Sequence, residues 1–370
     1  MTKVLFLIPN LAHGGAEKVL VNLVNNMDKT KFHVTVQTLF DVGINRQYLN
    51  SDVKYIGGFK RMPRGNTYVM KLFSPEKLYN HFIRDDYDII VSYLEGPTAR
   101  IVSGCTNPKT KLVSWIHIEQ HTKELASKSF RSYKEALDCY SKFDRTICVS
   151  DTVKSDFESI FDTKRPVEVL YNTNESEKIK KLSDEKVDDV IFSKDTINII
   201  SVAKIVHSKG YDRLMKIHKK LIEENVKNHI YILGIGEEKE KYEKYLTENN
   251  LTDTFTFLGY RDNPYKYVKK ADLYVCSSRR EGFSTAVTEA LIVGTPVVST
   301  NCSGAYELLG ENNEYGIVTD NDEDALYEGI KKMLTTPNLL EDYAAKAKER
   351  GKAFSTEKTV QATENMLLGI

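Results

Sequence analysis

Two glutamates eight positions apart occupy a strand, loop and helix context that suits binding of a polar, anionic ligand. Glu281 follows a predicted strand at residues 273–276, and Glu289 lies about a turn and a half inside a helix that starts near Ser284. Serine is a favoured N-cap residue, and the backbone N–H groups at a helix N-terminus form a site for phosphate. The spacing therefore predicts that both carboxylates face one ligand. The residues between them that the same ligand would meet are Gly282, Phe283, Ser284 and Thr285.

Two lysines, Lys204 and Lys209, follow the predicted strand at residues 197–203. Cations held beside a strand end can neutralise the negative charge of a diphosphate leaving group. Lysines at a helix start are also commonly solvated surface charges, and the pair by itself leaves both interpretations open.

Glycines stand at two turns that follow predicted strands. Gly14 and Gly15 come after the strand at residues 3–8, and Gly234 comes at the end of the strand at residues 229–234. Glycine lets the backbone approach a ligand closely and present its amides to an anion. Ordinary turn geometry also uses glycine, so the position after a strand gives these residues their weight.

Three further candidates stand at strand ends in the first half of the chain. His117 follows the predicted strand at residues 110–116, and Glu95 follows the strand at 88–93. Ligands of parallel α/β sheets bind at the carboxyl ends of strands, which favours His117 as a site residue. For Trp115 packing in the core is the alternative, and for Glu95 a capped turn is equally compatible with the sequence.

Taken together, these motifs resemble glycosyltransferase family 4, whose members are retaining enzymes with the GT-B fold. The stretch Glu281–Glu289 matches the E-x7-E signature of that family, and Gly14–Glu17 resembles its Gly-Gly-Ala-Glu loop. The stretch Lys204–Gly210 is similar to the family's Gly-Arg…Lys-Gly pattern, with Ala203 and Lys204 in place of Gly-Arg. A compact ammonium thus replaces a bidentate guanidinium in the predicted phosphate contact.

The resemblance implies an α/β protein with the GT-B fold, in which two Rossmann-like domains with parallel sheets face each other across an interdomain cleft. It implies a metal-independent, retaining transferase without a cofactor. The implied donor is a nucleotide sugar, most simply a UDP-sugar, and the implied acceptor is a saccharide, expected to be lipid-linked, in bacterial capsule or O-antigen assembly. Two rival functions stay open, namely a non-catalytic partner subunit of another transferase and a nucleotide-sugar epimerase or phosphorylase on the same fold.

The resemblance also implies roles for individual residues. Glu289 would hold the ribose hydroxyls, and Glu281 with the amides after it would contact the donor sugar. The implied catalytic residues are Glu281, His117 and Lys209. The implied donor-side residues are Gly15, Lys204, Lys209, Gly234, Tyr260, Arg261, Gly282, Phe283, Ser284, Thr285 and Glu289, of which Tyr260 and Arg261 would lie near the base. The implied acceptor-side residues are Glu95, Trp115 and His117.

Length and composition fit this expectation. A chain of 370 residues suits two α/β domains, and 41% hydrophobic with 28% charged residues is typical of a soluble globular protein. The chain carries 52 basic and 52 acidic residues, so no global attraction to nucleic acid is expected. No apolar run has the length of a membrane-spanning helix, and residues 1–9 read as a first strand rather than a signal peptide.

Cysteine usage and metal-ligand spacing predict no structural metal. The five cysteines lack C-x-x-C spacing, which favours reduced thiols and a cytoplasmic location, peripheral to the inner membrane face if the acceptor is a lipid. His117 and His121 could share a helical face, but the sequence offers no third zinc ligand beside them. The D-x-D triplets at residues 86–88 and 320–322 are expected to end or cap helices.

Alternation of short apolar runs with amphipathic stretches predicts parallel sheets built from βαβ units. The expected domains are residues 1–172, with a C-terminal helix at 355–370 that packs back on them, and residues 173–354. The polar segment 172–194 is the expected linker. The predicted strands lie at 3–8, 33–39, 53–56, 88–93, 110–116, 145–149 and 167–170, and then at 197–203, 229–234, 254–258, 272–276, 296–300 and 315–318.

The stretch from Asp41 to Tyr87 resembles the family least. It interleaves basic residues with aromatic and apolar ones, which could contact a lipid headgroup, although an ordinary solvated loop explains the same pattern. The basic residues are Lys54, Lys60, Arg61 and Arg64, and their neighbours are Phe59, Met62 and Tyr68.

Overall fold

In a computed structural model of the protein, residues 1–12, 14–63 and 65–370 are described, and they divide into two compact units. Unit 1 comprises Met1–Asn174 and Thr356–Ile370, and unit 2 comprises Glu175–Ser355. The sequence had placed the corresponding boundaries at 172/173 and 354/355.

Unit 1 is built on a parallel sheet of seven strands in the order β3-β2-β1-β4-β5-β6-β7. Its interior strand β1 is fully buried from Val4 to Ile8, as expected for a parallel sheet covered on both faces. The strands are β1 (Thr2–Ile8), β2 (Phe32–Thr38), β3 (Lys54–Ile56), β4 (Ile89–Tyr93), β5 (Lys111–Ile116), β6 (Arg145–Cys148) and β7 (Val167–Val169).

Helices connect these strands in alternation with them. They are α1 (Gly15–Asn26), α2 (Asn66–Met70), α3 (Pro75–Phe82), α4 (Pro97–Val102), α5 (Lys123–Ala126), α6 (Tyr133–Tyr140) and α7 (Asp151–Ile160), and a 3-10 turn spans Ile44–Tyr48. Serine or threonine side chains cap α3, α5, α6 and α7 by accepting a backbone N–H three residues later.

Unit 2 contains a parallel sheet of six strands in the order β10-β9-β8-β11-β12-β13. The strands are β8 (Ile197–Val202), β9 (Asn228–Leu233), β10 (Phe255–Gly259), β11 (Leu273–Cys276), β12 (Val297–Thr300) and β13 (Ile317–Thr319). All thirteen strands predicted from the sequence are present, with ends within two residues of the expected ones. The predicted fold class, two parallel α/β units, is confirmed.

The helices of unit 2 follow the same alternation. They are α8 (Ser176–Ser183), α9 (Tyr211–Glu223), α10 (Lys239–Glu248), α11 (Tyr265–Lys270), α12 (Thr285–Val293), α13 (Ala305–Leu309), α14 (Glu323–Thr335) and α15 (Leu339–Gly351), with 3-10 turns at His207–Lys209 and Lys352–Phe354. Asp322, the last residue of the second D-x-D triplet, caps α14 by accepting from Ala325 N at 2.8 Å. This is the helix-capping role expected for that triplet.

Each sheet has one switch point, which is the boundary between strands that are added toward one edge of the sheet and strands that are added toward the other edge. In unit 1 this point lies between β1 and β4, and in unit 2 it lies between β8 and β11. The loops that leave adjacent strands at such a point diverge, and the crevice beyond their carboxyl ends is where open α/β sheets bind ligands. Each unit therefore has one place at which site residues are expected.

The last helix, α16 (Thr356–Leu368), belongs to unit 1. Its Glu364 carboxylate accepts the Asp28 N–H at 2.6 Å, and Thr356 Oγ1 donates to the Asn174 carbonyl at 2.7 Å. Arg145 also donates to the Gly369 carbonyl at 3.0 Å. Polar contacts at both of its ends thus attach the end of the chain to the first half.

The polar segment 172–194 is more structured than a linker of that composition suggests. It contains α8, whose Ile179 is 2% exposed and packs with Tyr265 and Ile292 in a small apolar cluster of unit 2. The composition of the segment did not indicate this helix, because only one face of the helix is apolar and its other residues are polar. Among the described residues, none of the helices has the length and apolar character required to cross a bilayer.

A fully buried histidine, His218, lies in the core of unit 2 on α9. Its Nδ1 lies 2.8 Å from Asn228 Oδ1 and its Nε2 lies 2.9 Å from Thr254 Oγ1. Since Asn228 Oδ1 can only accept, Nδ1 carries the proton and Nε2 accepts from the Thr254 hydroxyl. Burial lowers the pKa of His218 from 6.5 to about 4, against a smaller opposing effect of the Asn228 hydrogen bond.

We expect the free energy of unfolding to fall as the pH decreases from about 6.5 to about 4, because unfolded His218 takes up a proton that the folded form does not bind. One such group gives a limiting slope of about 1.4 kcal/mol per pH unit. His218→Gln removes the titration, so its slope should be smaller by about that amount. Urea denaturation at a series of pH values measures both slopes.

His33→Gln is the matched control, because it replaces an exposed histidine on β2 by the same side chain. Equal slopes for the wild type and His218→Gln would contradict the assignment of this dependence to His218.

Candidate functional site

A charge-assisted pair lies at the switch point of unit 2. Lys209 ends the 3-10 turn after β8, Glu281 lies in the loop after β11, and Lys209 Nζ is 2.6 Å from Glu281 Oε1. The Ser278 hydroxyl donates to the same oxygen at 2.6 Å. Burial opposes the charge on Lys209, but the charge and hydrogen bond of Glu281 outweigh it and raise its pKa. The ammonium is therefore fully charged at neutral pH and fixed in position.

The two loops that carry this pair lie in close contact with each other. Gly210, directly after Lys209, has φ +70°, and a Cβ there would lie 2.0 Å from the Ser277 carbonyl oxygen. The Ser277 hydroxyl donates to the Lys209 carbonyl at 2.8 Å. Only glycine permits this approach, so the sequence Lys209-Gly210 serves packing as well as chemistry.

A buried arginine binds the backbone that follows β11. Arg213 is 4% exposed, and its guanidinium donates to the carbonyl of Ser277 from Nε (2.9 Å) and Nη2 (2.6 Å). Nη2 also donates to the Ser278 carbonyl and to Asn321 Oδ1, both at 2.8 Å. Nη1 donates in addition to the Asn321 carbonyl at 3.3 Å, and because all five of these contacts are to neutral oxygens, Arg213 acts as a structural clamp on the loop that leads to Glu281.

Helix α12 begins directly after this loop. Ser284 caps it by accepting from Val287 N at 3.4 Å, and Gly294 ends it with φ +84°, as the sequence predicted. Gly282, Ser284 and Thr285 are partly exposed at the start of the helix. The first backbone N–H groups of any helix lack intrahelical partners, so this N-terminus has the chemistry of an anion site.

Glu289 lies one turn further into α12 and is 7% exposed. Phe283 is also buried, and its ring packs against Phe354 with ring centroids 6.0 Å apart. Phe283 thus anchors the start of α12 in the core of unit 2, while Glu289 places a carboxylate along the same helix as the N-terminal amides.

The structure explains why residue 234 is a glycine. A Cβ at this position would lie 1.9 Å from the Ala203 carbonyl oxygen, and its N–H donates to the Gly259 carbonyl at 2.9 Å. The loops after β8, β9 and β10 therefore run side by side in hydrogen-bonding contact. Lys204, in the first of these loops, has an exposed side chain.

The predicted base-side residues differ in their surroundings. Tyr260 is 55% exposed. The guanidinium of Arg261 lies 3.0 Å from Asp189 Oδ2, and the other oxygen of Asp189 accepts from the Tyr267 hydroxyl at 2.7 Å. The segment before β8 thus holds Arg261 through an ion pair.

In unit 1, Tyr93, Trp115 and His117 form an aromatic cluster at the ends of β4 and β5. Ring centroids are 4.7 Å apart for Tyr93 and His117 and 5.1 Å apart for Tyr93 and Trp115. Within the described residues, the Tyr93 hydroxyl, Trp115 Nε1 and His117 Nε2 are buried without a hydrogen-bond partner. Burial lowers the pKa of His117 from 6.5 to about 3, so the ring is neutral at physiological pH.

Buried polar atoms without partners are uncommon in folded proteins, and three in one cluster point to groups kept available for a ligand. The loops that carry the cluster are tied to each other, since Glu95 Oε2 accepts the His117 N–H at 3.0 Å. Leu94, at the end of β4, has φ +152°, a backbone conformation that is costly for leucine. Strain of this kind is commonly stored at functional sites.

The glycine turn of unit 1 lies at the same switch point. Gly14 precedes α1 and Gly15 is its first residue. Nothing lies within 4 Å of a Cβ built on Gly15, whereas a Cβ on Gly43 would meet the Leu11 carbonyl at 2.0 Å. The predicted motif includes His13, which lies outside the described residues.

His121 does not lie with His117 as a metal-ligand pair. His121, Glu119 and Asp156 instead each place one potential ligand atom within 4.8 Å of one another. Both oxygens of Asp156 already accept backbone N–H groups, from Gln120 at 2.6 Å and His121 at 3.0 Å. We assign Asp156 the role of ordering the loop after β5.

The structure brings together Lys209 and Glu281 in unit 2, and Glu95, Trp115 and His117 in unit 1. Sequence reasoning missed two contributors, namely Ser278 and Arg213. Ser278 could have been suspected from its place at the end of β11, where polar residues commonly face a ligand. The partners of Arg213 are backbone carbonyls distant in sequence, which no motif signals.

Two family models match the chain in order along the sequence. The model described as Glycosyltransferase Family 4 matches residues 13–174, and the model described as Glycosyl transferases group 1 matches residues 183–350. These ranges correspond to unit 1 and unit 2.

Full-length relatives carry glycosyltransferase names. The chain is 28% identical over 390 residues to the N-acetylgalactosamine-N,N'-diacetylbacillosaminyl-diphospho-undecaprenol 4-alpha-N-acetylgalactosaminyltransferase of Campylobacter jejuni, with 100% of both chains covered. It is 21% identical over 350 residues to the lipopolysaccharide core biosynthesis glycosyltransferase LpsD of Rhizobium meliloti, covering 94% of this chain and 92% of LpsD.

Solved structures with the same fold include HepE of Anabaena in complex with UDP and glucose, with a TM-score of 0.78, 18% identity and 100% of both chains covered. Sucrose-phosphate synthase from Thermosynechococcus elongatus superimposes with a TM-score of 0.79 at 15% identity, covering 100% of this chain and 99% of the synthase. At these identities the likeness establishes the fold. With both units matched in order by glycosyltransferase models and the GT-B fold in place, the chain is a glycosyltransferase, and its first half matches the family 4 model.

Proposed function

We propose that this glycosyltransferase moves a sugar from a UDP-sugar to a lipid-linked saccharide, with retention of anomeric configuration, in the assembly of a bacterial surface polysaccharide. The observation that carries the proposal is the Lys209–Glu281 pair at the switch point of unit 2, beside the N-terminus of α12. The UDP in the HepE complex supports the donor class, and the diphospho-undecaprenol in the name of the Campylobacter enzyme supports the acceptor class.

The donor is assigned to unit 2. As the bond between sugar and diphosphate breaks, negative charge develops on the leaving diphosphate. The fixed ammonium of Lys209, the exposed Lys204 and the amides at the start of α12 supply positive charge to meet it. Glu289 is assigned to the ribose hydroxyls, since one carboxylate can accept from two hydroxyls at once.

The pairing of Lys209 with Glu281 defines how these two residues would act. Burial disfavours the charged form of Lys209, and the adjacent Glu281 carboxylate offsets that effect until the diphosphate enters. Glu281, held by Ser278, then orients a donor-sugar hydroxyl by accepting its hydrogen bond. The diphosphate is thereby assigned to Lys209 and the donor sugar to Glu281.

In unit 1, His117 is assigned to a hydroxyl of the transferred sugar. Glu95 and Trp115 are assigned to the acceptor. A neutral His117 can donate or accept one hydrogen bond to a sugar hydroxyl, but with a pKa of about 3 it is unsuited to act as a general acid near neutral pH. We assign proton removal from the acceptor to a phosphate oxygen of the donor, in a front-face attack.

We further propose that transfer proceeds without a bound metal, because lysine charges and helix amides are assigned the task that a divalent cation performs in other transferases. Activity measured with and without a chelator tests this. Unchanged activity is expected, and loss of activity that added Mg²⁺ restores would overturn it.

Removing the charge of Lys209 should lower kcat more than it raises the KM for the donor. Lys209→Met is expected to reduce kcat by about 100-fold or more, because the charge acts mainly as the diphosphate leaves. Lys209→Arg keeps the charge and should recover part of the lost rate. Initial rates over a range of donor concentrations separate kcat from KM. A loss confined to KM, with kcat unchanged, would show that Lys209 only binds the donor.

Glu289→Gln should weaken donor binding by roughly 10- to 100-fold, since a hydrogen bond to a charged group contributes about 1.5–3 kcal/mol. Calorimetric titration with a panel of nucleotides and nucleotide sugars measures the affinity and identifies the donor. Glu311→Gln, an exposed glutamate of unit 2, should leave the affinity unchanged. Failure of the wild type to bind any nucleotide sugar would overturn the proposed function and favour a non-catalytic subunit.

A further inference from the structure

Exposed apolar side chains are concentrated in one segment of unit 1. We call residues 59–63 and 65–73 the exposed segment. It holds six of the fifteen large hydrophobic residues that the described chain exposes, and Tyr68 and Leu72 are 70% and 76% exposed. Helix α2, which lies within it, buries none of its residues. The six are Phe59, Met62, Tyr68, Val69, Leu72 and Phe73.

The backbone of this segment is held in place by two arginines. Arg100, only 1% exposed, donates to the first and fourth carbonyls of residues 70–73 at 2.9 and 2.7 Å. Arg131 donates to the second and third at 2.6 and 3.1 Å. Glu135 lies 3.0 Å from the Arg100 guanidinium and accepts the Arg131 N–H at 2.6 Å. Four successive carbonyls are thus fixed by side chains that Glu135 connects.

This arrangement distinguishes the segment from a solvated loop. A loop in solvent satisfies its carbonyls with water, whereas two of these carbonyls bind the buried Arg100, whose charge is paired with Glu135, and the other two bind Arg131. The apolar side chains are consequently presented on a fixed backbone. Contiguous exposed apolar surface on a fixed scaffold marks an interaction site in soluble proteins.

The exposed segment is also basic. It contains Lys60, Arg61 and Lys71 and no acidic residue, and the Lys60 ammonium lies 2.8 Å from Asp41 Oδ2. The Lys71 ammonium lies 5.3 Å from the centre of the Tyr68 ring, so cationic and apolar groups stand side by side.

A recess extends the surface at the start of the segment. Phe59 stacks on His81 with ring centroids 5.9 Å apart, and both line a cavity of about 500 Å³. Arg84 lines the same cavity and adds a further cation. Phe82 and Asp85 also line it, so the recess offers both aromatic and charged groups next to the exposed segment.

We propose that the exposed segment docks unit 1 on a membrane surface that contains anionic lipids. Apolar side chains enter the interface between headgroups and acyl chains, and the basic side chains are attracted to anionic headgroups. This inference rests on the proposed function only in that a lipid-linked acceptor gives the enzyme a reason to reach the bilayer.

The test is co-sedimentation of the full chain with vesicles of phosphatidylcholine alone or with a minor fraction of phosphatidylglycerol. We expect stronger binding to the anionic vesicles, and weaker binding as salt is raised. Arg61→Ser with Lys71→Ser should reduce it by more than tenfold, since each basic side chain at an anionic surface contributes about fivefold. Tyr68→Ser with Leu72→Ser should also weaken it at least tenfold, because their apolar groups no longer insert.

Matched controls come from unit 2. Ile191→Ser removes an apolar side chain that is 90% exposed, and Lys186→Ser with Lys244→Ser removes two exposed charges. All three substitutions should leave vesicle binding unchanged. Donor affinity in solution, measured by calorimetry, should be unchanged in every variant, which separates this inference from the proposed function.

Three outcomes would overturn the inference. One is no binding of the wild type to either vesicle, and another is equal loss in the unit 2 controls. The third is concentration-dependent self-association that Tyr68→Ser with Leu72→Ser abolishes, which would make the segment an interface between copies of the chain. In each case intact binding of a UDP-sugar would leave the proposed function standing.

Discussion

The ion pair between Lys209 and Glu281 can form only where two particular loops meet, and that meeting point is set by the strand order of unit 2. The loops after β8 and β11 are adjacent because these strands are neighbours, although 72 residues separate the two side chains along the chain. Burial lowers the pKa of the lysine, the Glu281 carboxylate more than offsets that effect, and Ser278 fixes the carboxylate. A fixed positive charge at a strand end is therefore a product of topology as much as of residue type.

The residues around the site fix the loops that carry its side chains. Arg213 saturates the carbonyls of the loop that carries Glu281, and Gly210 admits the Ser277 carbonyl at a distance that no Cβ allows. In unit 1, Glu95 performs the comparable task by binding the backbone of His117. Both units thus use buried or half-buried polar side chains to fix loops, because loops beyond strand ends have no ladder to hold them.

The two units differ in how they present chemistry. Unit 2 presents charge in the form of a paired ammonium and helix amides. Unit 1 presents an aromatic cluster in which burial keeps His117 neutral and leaves polar atoms of Tyr93 and Trp115 without partners among the described residues. A charged diphosphate suits the first environment and a neutral sugar suits the second. The exposed segment adds a third kind of surface, since Arg100 and Arg131 hold apolar side chains toward solvent.

By itself, the sequence determined the fold class, all thirteen strands and the capped helix that carries Glu289, because alternating apolar runs, a Ser284 cap and a Gly294 stop are local signals. It also singled out Lys209 and Glu281 as residue types suited to a phosphate-sugar ligand. Only the tertiary structure decided that these two bind each other, that Arg213 clamps their loop and that Arg261 is held by Asp189. It likewise placed α8 within the expected linker. The physical reason is that pairing, burial and the resulting pKa shifts depend on distances between residues remote in sequence, which no local pattern encodes.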